Sequence, residues 1–417
     1  MRIVLITIGG WGDSEPFLAL AVRLMREGHS VRLAARPDFA DLAAAYGVEF
    51  APLGRSYQPF ITGAAQASAL GSGHLLRQVR YGLAQRGYFH ELGEDAWQAA
   101  QGAQAIIYKY SWVTGYTVAE KLGVPRAAAM FFPLTPTRAF PSFLIGNGAS
   151  RGRLASHIGW ELTGLVSWQL LRRDDAELRR RLGMRPLPTR GPVHQQEREA
   201  MPVYYAYSPA VLPRPADWPG RMYVTGYWFL GPPPGWQPPP QLLQFLAEGP
   251  PPVSIGFGSM ASRDPQATLN LVLDALRLSG QRGLILSGWA GLGKDAALPR
   301  NVFATDSLPH TWLFPRMAAA VHHGGAGTTG AALAAGLPSI ITPLAADQPS
   351  WARTVYQLGA GTDPIPFAAL TAGRLAAAIR QALTDPRIRH RAAELAAQIQ
   401  AEDGLGRTAE LFAHHIG

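Results

Sequence analysis

The sequence predicts an α/β protein built from two doubly wound, Rossmann-like domains, and three observations carry that expectation. An apolar run, a glycine turn and a helical period open the chain as a β-α-β unit. The same order of signals returns from Pro252 onward. Between the two lies a proline-rich stretch, Gly226 to Pro240, reading GYWFLGPPPGWQPPP.

Arg2 to Ile8 is continuously apolar, as expected of a parallel strand buried on both faces. Gly9, Gly10 and Gly12 make the turn, Asp13 or Ser14 reads as a helix cap, and Pro16 falls in the first turn. Phe17, Leu18, Ala21, Val22 and Leu24 then recur at helical spacing. Gly28 ends this helix, and Ser30 to Ala35 is the next strand. The turn lacks GxGxxG, and Arg36 rather than an acid follows the second strand, which argues against dinucleotide binding. Ala105 to Tyr110, Arg126 to Phe132 and Val203 to Tyr207 read as further strands, and Leu170 to Leu182 as an arginine-rich helix with a solvated face. Phe60, Tyr88, Trp112, Phe132 and Phe140 lie among glycines and prolines. Such residues fill cores, and they equally suit the walls of an apolar pocket.

Proline-rich sequence continues neither a helix nor a central strand and favours an extended spacer. The expected division is therefore 1–225, a linker over 226–250, 251–400, and a terminal helix over 401–417. In the second half, Pro252 to Phe257, Gly283 to Ser287, Val302 to Asp306, Ala318 to His322 and Ser339 to Thr342 read as strands. Pro265 to Leu278, Leu375 to Leu383, Arg389 to Gln400 and Glu402 to His415 read as helices.

A length of 417 residues suffices for two domains of ordinary size. The absence of cysteine excludes disulfides, thiolate metal sites and a thiol nucleophile. There is no run of about 18 apolar residues to span a membrane. The opening Met1 to Ile6 reads as a strand and not as a signal peptide, so a cytoplasmic location is expected. The net charge is +9, yet the only lysines are Lys109, Lys121 and Lys294. The excess of arginine reads as codon usage. Aromatics are not interleaved with a basic stripe, so nucleic acid is not an expected partner. A basic surface does suit peripheral contact with anionic lipid. Oligomeric state is left open.

The stretch with the most chemistry is His322 to Trp351, HHGGAGTTGAALAAGLPSIITPLAADQPSW. Gly324, Gly325 and Gly327 permit close backbone approach, and Thr328 and Thr329 lead into a small-residue helix. A helix N-terminus offers unpaired N–H groups and a positive dipole end, which together suit a phosphate. An ordinary loop-to-helix turn reads the same way. A metal at His322 and His323 is disfavoured, since adjacent residues on a strand point to opposite faces.

This whole stretch resembles the donor-sugar signature of the large family of nucleotide-sugar glycosyltransferases, and within it the sterol glucosyltransferase branch. That branch carries a PHxWLFP run before HHGGAGTT and ends in DQPFW. Here the runs are Pro309-His310-Thr311-Trp312-Leu313-Phe314-Pro315 and Asp347-Gln348-Pro349-Ser350-Trp351, with Ser350 in place of Phe. The resemblance implies the GT-B architecture, in which two such domains face each other across a cleft. It implies UDP-sugar as co-substrate, no metal cofactor, and an apolar small-molecule acceptor. Ser259 and His323 would contact the diphosphate, with Gly325, Gly327, Thr328 and Thr329 supplying amides and hydroxyls beside them, and Gly12 would also border the donor. Ser307, Leu308 and His310 would border the base, and Asp347 and Gln348 would bond the sugar hydroxyls. Asp13 would be the catalytic base, in a motif where Trp11 replaces the Arg of RGDxxP, and Trp11 would join the acceptor wall. The reaction expected is inverting transfer of glucose to a hydroxyl of a sterol, triterpenoid or similar aglycone. Alternatives are a dTDP-deoxysugar transferase of natural products, and a degenerate, non-catalytic partner protein.

Overall fold

The computed structural model describes residues 1–56, 86–110, 113–144, 152–188, 191, 199–258, 264–288, 291–294 and 296–416. Its first sheet holds β1 (Arg2–Ile6), β2 (Ser30–Ala35), β3 (Glu49–Pro52), β4 (Ala105–Lys109), β5 (Arg126–Met130), β6 (Val203–Tyr205) and β7 (Met222–Val224). The order is β3-β2-β1-β4-β5-β6-β7, and all pairs are parallel. Ile3, Val4, Leu5 and Ile6 are fully buried, as a central strand covered on both faces requires. β3 and β7 escape a reading of apolar runs because they are short edge strands, buried on fewer sides.

The second sheet holds β8 (Val253–Gly256), β9 (Gly283–Leu286), β10 (Val302–Thr305), β11 (Ala319–His322) and β12 (Ser339–Ile341). Its order, β10-β9-β8-β11-β12, is again all parallel. Both sheets therefore reverse winding beside their first strand, the first between β1 and β4, the second between β8 and β11. In open α/β sheets such switch points are where ligands bind, outside the carboxyl ends of the strands.

Three expectations change. The first helix spans Trp11–Arg26 and its N-cap is Gly10, with no side-chain cap. Asp13 therefore lies inside the first turn, its carboxylate drawn to Lys109 and not to a helix N–H. The arginine-rich helix is longer, Arg153–Arg181, and is not solvated throughout. Arg179 is buried and bonds Asp175 at 3.0 Å and Glu120 at 2.6 Å, since a buried guanidinium needs partners. The 226–250 stretch is not a spacer from end to end. Tyr227, Trp228 and Leu230 are buried, Pro240–Ala247 is helical, and the stretch between them, 231–239, is exposed or half-buried. Aromatic side chains gain too much from burial to remain in solvent.

The terminal helix Gly404–Ile416 lies on the Trp11–Arg26 helix, with Ala409 and Phe412 joining Phe17, Leu18 and Leu20 in one core. Asp403 pairs with Arg23 at 3.0 Å. A second core runs across the two sheets, where Phe143 meets Trp351 edge-on at 5.1 Å and Ser350 donates to the Phe143 carbonyl. Among the described residues, no helix is long and apolar enough to cross a membrane.

Candidate active site

The two switch points supply the site. In the second sheet, β11 ends in His322, and the chain turns through His323, Gly324 and Gly325 into the helix Ala326–Ala334. Gly325 is the N-cap, so the N–H groups of Ala326, Gly327 and Thr328 have no intrahelical acceptor. Gly324 takes φ of +89°, and a Cβ there would come within 2.7 Å of Ile341, so both its conformation and its surroundings require glycine. His322 is fully buried, and its Nδ1 accepts from Gly324 N–H at 3.2 Å, which braces the turn.

His323 is half-buried and its ring is clasped between glycines. A Cβ on Gly258 would reach 2.6 Å from its Cε1, and one on Gly325 would reach 2.5 Å from its Nε2. Burial, aided by His310, pushes its pKa down to about 4, so it is a neutral imidazole at pH 7. Its Nδ1 finds no hydrogen-bond partner among the described residues. This turn offers an anion a row of backbone donors and one imidazole. Ser307 is exposed, Leu308 buried, and His310 stacks on Phe314 at 4.5 Å, with burial lowering its pKa to about 4. Thr328 is partly open. Thr329 is fully buried, and its hydroxyl has no hydrogen-bond partner among the described residues.

Asp347 occupies the N-cap position of the helix Gln348–Gln357 without capping it. It follows Ala346, whose φ of +57° is unusual for a residue with a side chain. Burial raises the Asp347 pKa to about 7, with the charge of Asp13 pushing the same way and that of Lys109 opposing. The charges that act on Asp347 of the second sheet therefore include those of Asp13 and Lys109 on the first. Gln348 follows Asp347 at the start of this helix. It is buried, and its Oε1 accepts from Leu344 N–H at 2.8 Å and Ala345 N–H at 3.3 Å, so that oxygen holds the loop and is already engaged.

On the first sheet, Asp13 is partly exposed and its Oδ1 lies 2.6 Å from Lys109 Nζ. A Cβ on Gly9 would lie 1.9 Å from Asp13 Oδ2, so the carboxylate is seated directly over that glycine. Gly12 is exposed beside it. Trp11 is half-buried and meets Phe39 edge-on at 5.3 Å. Phe132 is half-buried against the core, and Phe140 packs on Phe143 and Trp160. Phe60, Trp112 and Ser259 lie outside the described residues, as does the side chain of Tyr88.

Sequence reasoning missed Lys109. A signal existed: in a chain with three lysines, one stands at the carboxyl end of a predicted central strand.

Comparison with known proteins is consistent with this geometry. Residues 3–141 match the glycosyltransferase family 28 N-terminal domain, and residues 290–405 the erythromycin biosynthesis protein CIII-like C-terminal domain. A sterol 3-beta-glucosyltransferase of Arabidopsis thaliana is 36% identical, over 100% of this chain and 68% of the relative. That of Komagataella phaffii is 33% identical over 97% of this chain, which spans only 34% of that relative. The O-mycaminosyltylonolide 6-deoxyallosyltransferase of Streptomyces fradiae is 34% identical over 97% of this chain and 95% of the relative. Among solved structures, the calicheamicin glycosyltransferase CalG4 superposes with a TM-score of 0.70 at 19% identity, covering 100% of this chain and 98% of that one. The glycosyltransferase VinC, solved with dTDP, gives 0.66 at 19% identity, covering 100% and 99%. At these identities the structural matches speak to the fold.

Proposed function

Since the chain belongs to the family 1 nucleotide-sugar glycosyltransferases of GT-B fold, we propose that it moves glucose from UDP-glucose, with inversion, to a hydroxyl of an apolar acceptor such as a sterol. The observation that carries this reading is that the Asp13 carboxylate and the His323 turn each follow the strand at the switch point of their own sheet, and that the charge of Asp13 reaches Asp347. The diphosphate would lie on the His323 to Thr328 turn, against backbone donors, the His323 imidazole and the helix N-terminus. Asp347 would accept from sugar hydroxyls. The acceptor hydroxyl would enter from the first domain and attack the anomeric carbon on the face opposite the leaving nucleotide. Its proton would pass to the Asp13 carboxylate as the C–O bond forms and the sugar–phosphate bond breaks. The negative charge released on the diphosphate would remain on the donors that bind it.

The similarity to the sterol glucosyltransferases supports the acceptor class. The Streptomyces fradiae relative supports a second reading, a dTDP- or UDP-sugar transferase acting on a polyketide or other natural product. Nucleotide release from UDP-glucose and dTDP-glucose, measured against a panel of sterols and macrolides, separates the two. Release that no aglycone stimulates would overturn both.

Two outcomes follow from the cleft. Sugar hydroxyls donate to the ionised form of Asp347, whose unliganded pKa is raised to about 7. Its proton must leave before those bonds form, so KM for the donor should rise as pH falls through about 7, while UDP affinity changes little. Asp347→Ala should impair turnover of UDP-glucose and spare UDP binding. Loss of both together would make the residue structural. The second outcome concerns motion, because hinge closure is absorbed at a few inter-element residues. Small-angle scattering with UDP-glucose and an acceptor analogue should show a smaller radius of gyration, and an unchanged radius would mean a permanently closed cleft.

A further inference from the structure

Lys109 has no role in the scheme above, yet it is buried at the centre of the site. β4 pairs with β1 in a register that sets Tyr108 opposite Ile6, so the next residue of β4 emerges beside the glycine turn. There the Lys109 ammonium donates to the Ile8 carbonyl at 3.1 Å and contacts Asp13 Oδ1 at 2.6 Å, with its side chain 11% exposed. An ammonium taken from water is expensive unless it is paired, and here the partner is the proposed base. The charged groups that meet at this point are Asp13 from the first helix, Lys109 from the end of β4, and Asp347 from across the cleft. The charge of Asp13 acts against that of Asp347, and the Lys109 ammonium, held on Asp13, offsets that repulsion.

We infer that Lys109 is a positioning residue for the transfer reaction. It fixes the Asp13 carboxylate over Gly9, and its charge offsets the repulsion between Asp13 and Asp347 when the cleft holds a sugar. This rests on the reading of Asp13 as the base. The acceptor's proton goes to Asp13. Replacing Asp13 alone removes the base, whereas replacing Lys109 leaves a base that is less fixed and faces a second carboxylate uncompensated.

The test compares Lys109→Met, Lys109→Arg and Asp13→Asn in pH–rate profiles between pH 5 and 9 with UDP-glucose and cholesterol in detergent. Lys109→Met should lower kcat about tenfold near neutrality, a fraction of a general-base contribution. It should also move the acid limb upward by about one pH unit, the scale of one lost contact charge, so that the defect shrinks as pH rises. Lys109→Arg should keep the acid limb in place. A pH-independent loss, or none, would overturn the inference. If Asp13→Asn is as active as the parent, it is the base assignment that fails. A second measurement needs no substrate. Carboxyl titration by ¹³C NMR, with Asp347→Asn for assignment, should show the Asp347 signal titrating at higher pH in Lys109→Met than in the parent and unmoved in Lys109→Arg. An Asp347 signal that does not move in Lys109→Met would equally overturn it.

Discussion

Asp13→Asn is expected to lower turnover by at least about 10²-fold, the lower end of a general-base contribution, while fold and UDP affinity stay intact. A secondary alcohol is a poor nucleophile until its proton is taken, and a carboxylate can take it as the new bond forms. The structure excludes the simplest competing role, because Gly10 is the N-cap and the Asp13 side chain caps nothing. The carboxylate instead sits over Gly9 and against Lys109 at 2.6 Å, a placement that an amide can fill with little change of shape. Asn retains the size and loses the basicity. Steady-state kinetics with calorimetric UDP binding checks both halves of the expectation. Parent-like turnover would remove Asp13 from the chemistry.

His323→Ala is expected to weaken UDP by about 1.5–3 kcal/mol, the scale of a hydrogen bond to a charged group, which is roughly a tenfold to hundredfold change. The ring is held between Gly258 and Gly325, positions where any Cβ would collide with it. Its orientation is therefore fixed before a ligand arrives. Being neutral at pH 7, it would meet the diphosphate as an N–H donor and not as a cation. A bound dianion favours the protonated ring, so UDP should bind more tightly as pH falls toward the depressed pKa of about 4. Isothermal titration at several pH values reads this. An unchanged UDP affinity in His323→Ala would place the diphosphate elsewhere.

Much of the fold was legible because its signals are local. Apolar runs bounded by glycine gave the central strands of both sheets to within a residue or two. The motif from His322 to Asp347 carried its own order, so the turn, the helix and the following strand were readable in sequence. The edge strands β3 and β7 were not, since short, half-covered segments lack an unbroken apolar run. Leu170 to Leu182 reads as a solvated helix because arginine usually is, whereas Arg179 pairs not only with Asp175 one turn back but with Glu120 on another helix, a partner that no local pattern reveals. Thr329 and Gln348 belong to the motif by spacing, and only packing shows the first fully buried and the Oε1 of the second holding its own loop.

The sequence alone determined two doubly wound units and the glycine-rich turn beside a helix N-terminus, because strand period, glycine turns and helix starts are encoded over a few residues. Only the tertiary structure decided that Asp13 meets Lys109 and that the charges of both act on Asp347. Those three are separated by 96 and 238 residues in the chain (109−13 and 347−109), and parallel strand order brings them to one point. A carboxylate's partner, and hence the chemistry open to it, depends on that non-local placement.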